Sequence, residues 1–309
     1  MEKLFSLGNT PEFIALLDNT VRALHSAGNA ADVRFFLFFK IFVDDVDRSR
    51  EMYTHKHTQK KQFKKASMIL SKFKEHPTMY RRVPFILEKT QLMQTRFIAC
   101  QVMDIAISQR WKAMEDAEKG GIKNYLVNKI ISLSHSENSL KQHRALISKM
   151  NHALVAILKF DWPAKWPTFV SEMVKSAKGN EILCENNVNI LQLLGEEVFD
   201  FSKDQMTSAK ARAMKEQLKN EVGQIFELLI HVLRHSKRVS LIIATLKTLQ
   251  KFIPWIPLHF VFETDLMKLL VGRFFRVSQF QRETLACLTE IVGLQSPLVQ
   301  QKYLNQIRT

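Results

Sequence analysis

Leu140-Lys-Gln-His-Arg-Ala-Leu-Ile-Ser-Lys-Met-Asn-His-Ala-Leu-Val-Ala-Ile-Leu-Lys-Phe160, followed at once by Asp161-Trp-Pro-Ala-Lys-Trp-Pro167, decides the kind of fold this chain adopts. Its first part reads as about six turns of helix-period sequence. At Trp162-Pro163 the pattern stops, because proline has no amide for the helical ladder and its ring crowds the preceding turn. Trp166-Pro167 then opens a shorter helix that ends near Gly179. Two bulky rings beside two prolines form a rigid corner between consecutive helices. Both rings are expected to pack under the turn among apolar neighbours, each proline fixing φ for a helix start.

Working outward, the same helix-break-helix pattern recurs. Toward the amino terminus, periodicity predicts helices over about Glu12–Ser26, Thr58–Glu75, Met79–Met93 and Thr95–Trp111, the second ended by His76-Pro77. Phe13, Leu16, Leu17, Thr20, Val21 and Leu24 form the stripe of the first, and Phe63, Ala66, Met68, Ile69, Leu70 and Phe73 that of the second. Gly120-Gly121 is expected to reset the pattern before a helix over Ile122–Ser134. Beyond the corner, helices are predicted over Glu181–Phe199, Thr207–His235, Leu241–Phe252, Phe260–Arg276 and Phe280–Gly293. Paired helices every ~40–50 residues match a HEAT-like solenoid, with an irregular helical domain as the alternative. No window alternates as a strand would.

Composition points the same way. Only 9 glycines and 8 prolines in 309 residues argue against turn-rich sandwiches, barrels and doubly wound sheets. Apolar residues at 46% supply a sizeable core and exclude wholesale disorder. The most apolar run, Val33–Val43, contains two cations and is far shorter than the ~20 residues of a membrane helix. No apolar leader follows Met1. Three cysteines, none at ligand spacing and all within apolar helix stripes, read as core residues of a reduced, intracellular protein.

No residue constellation points to catalysis: phosphate-binding glycine loops, nucleophile elbows and zinc-protease motifs are all missing. His55 and His57 lack a third ligand at metal spacing, and neither a metal nor a cofactor is expected. The acid pairs Asp44-Asp45 and Glu196-Glu197 are sequence neighbours, which cannot face one substrate from a single helix. Net charge is +15, and nine Lys or Arg stand between Lys56 and Arg82 against the single acid Glu75. The run Lys60-Lys-Gln-Phe-Lys-Lys65 reads either as the polar face of an amphipathic helix or as a phosphate contact or localisation signal.

A set of short runs gives these features a family context. They include Lys74-Glu-His-Pro77, Ile86-Leu-Glu88, Arg110-Trp-Lys112, Lys149-Met-Asn151, Asp161–Phe169 and Cys184-Glu-Asn-Asn187, then Glu196-Glu-Val-Phe-Asp-Phe-Ser202, Trp255-Ile-Pro-Leu258 and Cys287-Leu-Thr-Glu-Ile291. In this order they resemble the amino-terminal part of the Exportin-1 family, nuclear export receptors of the importin-β superfamily. The resemblance implies an all-α HEAT-repeat α-solenoid, a superhelix of antiparallel helix pairs, with about six repeats in 309 residues. It implies residues 1–27 as the first outer helix, an importin-β amino-terminal domain over 66–132 and exportin-type repeats over 133–309. The expected chain is a fragment or truncated isoform, with an apolar flank that a further repeat would cover. About thirty residues between Ser26 and Thr58 exceed the family pattern. This insertion, 28–57, crowded with Phe35, Phe36, Phe38, Phe39 and Phe42, reads as translated non-coding sequence or as a genuine loop.

The resemblance also implies partners. Family members carry leucine-rich export-signal cargo together with the GTPase Ran in its GTP form, pass nucleoporins and shuttle between nucleus and cytoplasm. The cargo groove lies in repeats beyond this chain. Ran meets the second, inner helix of each pair, which places candidate contacts at Arg96, Gln101, Asp104, Lys149, Asn151 and Asn187. At Ile105 relatives carry Asn. A basic helical scaffold binding RNA directly is the rival reading, drawn from charge alone.

Overall fold

The computed structural model describes residues 2–37, 46–199 and 208–294; the side chains of 2–3, 27–37, 46–59 and 199 fall outside that description. With them go the phenylalanine-rich run and the His55–His57 pair. Among the described residues every regular element is helical, as expected of HEAT-type pairs, and no helix is long and apolar enough to cross a membrane. The chain divides into two compact units, Met1–Lys119 and Gly120–Thr309.

In the first unit, α1 (Glu2–Ser6) precedes the pair α2 (Pro11–Leu37) and α3 (Val46–Glu75). The hydroxyl of Thr10 accepts a 3.3 Å bond from the Phe13 amide, and Pro11 occupies the first helical position, so α2 starts on a capped end. Phe13, Leu17 and Val21 are buried on α2 and meet Ala66, Leu70 and Phe73 of α3, the Phe13 and Phe73 rings lying 6.2 Å apart. Phe63 and Met68, predicted on that apolar side, are instead 40% and 49% exposed. A 3₁₀ turn (Met79–Arg82), α4 (Val83–Lys89) and α5 (Met93–Arg110) make the second pair, and α5 packs along α3. The Arg110 guanidinium donates to the Glu75 carbonyl at 2.7 Å and so closes the end of α3. Both α2 and α3 run into the 28–57 stretch, past the predicted bounds at Ser26 and Thr58.

Gly120-Gly121 does not reset the pattern. Both lie inside α6 (Asp116–Leu133), neither has a positive φ, and Asp116 and Glu118 favour the helix start.

The second unit continues with α7 (Glu137–Asp161), α8 (Phe169–Ala177), α9 (Glu181–Phe199), α10 (Ser208–His235) and α11 (Val239–Phe252). Then come α12 (Leu258–Phe262), a π-helical turn (Lys268–Phe274) and α13 (Ser278–Val292). Ser136 and Asn180 cap α7 and α9, each accepting from backbone amides of the first turn. The second helices pack in order, α7 on α9, α9 on α11 and α11 on α13; among the first helices α8 meets α10. The predicted helix over Phe260–Arg276 is broken in two. Thr264 turns the chain between its halves, its hydroxyl donating to the Phe260 carbonyl and accepting from the Leu266 amide. The π turn, marked by the Phe275 amide donating to the Leu270 carbonyl, carries Arg273 to the terminal carbonyls of α10 at Leu233 and Arg234.

The tryptophan corner divides its labour. Trp162 is wholly buried, and Lys210 donates to the Phe160 and Trp162 carbonyls that end α7. Trp166 is half-buried in polar company, against the expectation of apolar neighbours. It stands edge-on to Phe169, lies under the Lys123 ammonium at 5.3 Å and donates to Glu172. Pro167 precedes α8 by two residues rather than opening it, and Trp162–Pro163 is a cis peptide. Replacing Trp162 with Ala is expected to destabilise the chain by ~3–5 kcal/mol, and Trp166→Ala by far less. Urea titration followed by circular dichroism measures both.

Candidate partner-binding site

The second helices of the pairs carry the candidate surface, and their exposed strips differ. On α5, Ile98, Val102, Met103 and Ile107 are buried, which leaves Gln94, Gln101 and Ser108 exposed seven residues apart. Gln101 therefore reaches solvent, and Asp104 is half-buried beside it. On α7, Leu146, Ile147, Met150 and Leu154 face the core and Lys149 faces out.

The other three predicted contacts are taken up inside the fold. Arg96 turns back along α5 and donates twice to the Thr90 carbonyl, at 3.2 and 3.0 Å, where α4 ends. Thr90 itself is buried and donates to the Asp18 carboxylate of α2 at 2.8 Å. Asn151 is 3% exposed, and its amide exchanges two bonds with Asn186 of α9, at 2.8 and 3.4 Å. The Asn187 amide donates to the Met173 carbonyl at 3.0 Å and the Ser176 hydroxyl at 2.8 Å, tying α9 to α8. Asn151 and Asn187 thus serve as inter-helix links. A buried amide has to satisfy its donors and acceptors within the protein.

These links belong to a series along the second unit. The Thr248 hydroxyl of α11 donates to the Val188 carbonyl of α9 at 3.1 Å, and the Cys287 thiol of α13 donates to the Leu246 carbonyl of α11 at 3.2 Å. The acid pair Glu196-Glu197 straddles α9, Glu197 pairing with Lys159 of α7 at 2.5 Å and Glu196 lying 3.8 Å from Lys251 of α11. Arg238 joins Glu137 of α7 to Glu185 of α9, at 3.1 and 2.9 Å. Neither Asn186 nor Arg238 was a candidate from the sequence: Asn186 lies in a quoted run but without a role of its own, and Arg238 lies 101 positions from Glu137.

Burial pushes the Cys184 and Cys287 thiols up to about 12, so both stay protonated and inert. Among the described residues no cluster of His, Cys, Asp or Glu could hold a metal ion.

Comparison with known proteins agrees with that architecture. The Exportin 1-like protein family matches residues 143–288, and the Importin-beta N-terminal domain matches residues 66–132. Exportin-1 of Dictyostelium discoideum is 42% identical over 245 residues, 77% of this chain and 23% of that protein. The chain belongs to the Exportin-1 family. What it carries is the family's amino-terminal part. Exportin-1 of Drosophila melanogaster is 43% identical over 236 residues, 76% of this chain and 22% of the relative. Protein EXPORTIN 1B of Arabidopsis thaliana is 37% identical over 293 residues, 95% of this chain and 24% of the relative. This family member spans about a fifth to a quarter of the length of the curated relatives it matches.

Two outcomes follow from the internal links. Asn151→Ala leaves the Asn186 amide unpaired and is expected to cost about 1–3 kcal/mol, while Asn151→Ala with Asn186→Ala costs less than the two singles summed. A double-mutant cycle by urea titration reads the coupling. Glu221 of α10 is buried, its carboxylate accepting from Gln217, and burial raises its folded pKa above the ordinary 4.5. Below about pH 4 both folded and unfolded states are protonated, and stability falls as pH rises through the folded value. Glu221→Gln therefore melts higher than the parent at pH 7.5, the gap closing in acid; thermal melts across pH test this.

Proposed function

We propose that this chain supplies the Ran-binding amino-terminal segment of a nuclear export receptor. The full-length product would bind leucine-rich export signals cooperatively with Ran-GTP, pass nucleoporins and shuttle between nucleus and cytoplasm. The family match to proteins named Exportin-1 carries this reading. The exposed strips of α5 and α7 support it, because they offer amide and ammonium donors on rigid, well-packed helices. Gln101 and Asp104 would meet the GTPase on α5 and Lys149 on α7, an amide suiting exposed backbone and an ammonium suiting carboxylates. Arg96, Asn151 and Asn187 would hold the helices that present them.

The test is retention of the chain on immobilised Ran loaded with GTP or with GDP. Retention on Ran-GTP alone is the expected result. Gln101→Ala and Lys149→Ala, each made singly, should weaken it about fivefold, equivalent to ~1 kcal/mol, with the helical spectrum unchanged. Tight RNA binding that weakens steeply with salt, together with indifference to Ran in either nucleotide state, would overturn the reading.

A further inference from the structure

The lysine run of α3 is a sequence motif to which the candidate contacts on α5 and α7 give no role. Ala66, Leu70 and Phe73 turn that helix inward, and Lys60, Lys61, Lys64, Lys65, Met68 and Lys72 are all exposed on its other side. At about 100° per residue these six fall within an arc of roughly 140°, and the row Lys60–Lys64–Met68–Lys72 runs for about 18 Å. Lysines four apart repel and weaken the helix that carries them. Nothing among the described residues relieves this. None of the five makes an ion pair or hydrogen bond there, whereas Lys119, Lys123 and Lys159 each hold a carboxylate. Glu75, the nearest acid along the helix, is engaged by the Ser71 hydroxyl at 3.1 Å.

The surroundings narrow the ligand. On the adjoining α5 the exposed side chains are Gln94, Gln101, Ser108 and Gln109, none of them charged. Within it sits Met68, 49% exposed, a flexible apolar side chain suited to covering by another apolar group. The stripe has no aromatic ring on which a base could stack, Phe63 lying on another side of the helix.

We propose that this stripe docks an acidic segment of a partner protein, with carboxylates spaced to meet the lysines and an apolar side chain seated on Met68. Charge complementarity selects the acids, and Met68 selects a peptide over a nucleic acid. The inference stands apart from whether α5 and α7 meet Ran.

Fluorescence anisotropy on the full chain tests it with three labelled probes. Two are peptides of about 16 residues, long enough for the ~18 Å stripe, with glutamate pairs four apart around a central leucine or a central serine. The third is single-stranded oligouridylate of similar length. The leucine peptide should bind most tightly, and its affinity should fall as salt rises. Lys60→Gln, Lys61→Gln, Lys64→Gln and Lys65→Gln together should weaken it about tenfold or more. Met68→Ser should weaken the leucine peptide about threefold and leave the serine peptide unchanged. Circular dichroism of each variant checks folding; should the fourfold variant unfold, the salt series and the leucine-to-serine ratio on the parent chain decide. Oligouridylate binding as tightly as the leucine peptide, equal binding of the two peptides, or no salt dependence would overturn the proposal.

Discussion

Burial of α9 on nearly every side is the constraint from which the second unit takes its form. This helix meets α7, α8, α10 and α11; Cys184, Val188, Ile190, Leu191, Leu194 and Val198 are buried on one broad face, and no residue from Ile182 to Val198 is fully exposed. A buried amide on so enclosed a helix has to find its partner on a neighbour. Asn186 does so on α7 and Asn187 on α8, while the Val188 carbonyl receives the α11 hydroxyl of Thr248. These partners fix rotation and register at the same time, which apolar packing alone does loosely. The strips that remain for solvent on the flanking helices then follow from geometry.

That constraint explains how the candidate surface divides. A polar residue on a second helix is available to a partner only where the helix has an open side, as α5 has at Gln101 and α7 at Lys149. Where the helices close over it, the same chemistry becomes an internal link, as with Asn151. Arg96 shows a third fate, since a long side chain can fold back on the nearest unsatisfied carbonyls at a helix end.

Helix placement was legible in the sequence where caps and periodicity coincide. Asn180 before α9 and the break at His76-Pro77 after α3 carry local signals that tertiary structure keeps. Legibility ended where a distant partner decides the local form. The π turn inside Phe260–Arg276 carries Arg273 to carbonyls at the end of α10, partners about forty residues earlier that no local signal announces. Helix propagation through Gly120 and Gly121 likewise depends on the sum over α6 rather than on two residues. At the site, periodicity separated inward from outward but could not tell an open strip from one covered by the next helix. That distinction left Asn151 and Asn187 open between a partner contact and a link between packed helices. The two tryptophans show the same limit: the corner itself is local, but Lys123 over Trp166 arrives from α6.

The straddling of α9 by Glu196 and Glu197 bears on how the second unit comes apart. Each acid reaches a different neighbour, and the amide and hydroxyl links repeat that two-sided attachment. Loosening of any one second helix therefore raises the free energy of both helices beside it, the nearest-neighbour coupling of a linear array. Among the described residues α13 is held on the side of α11 and leaves Leu285 and Val292 open to solvent. Hydrogen exchange should accordingly be graded, fastest in α13 and slowest in α9, with amides of the middle helices opening only in concert.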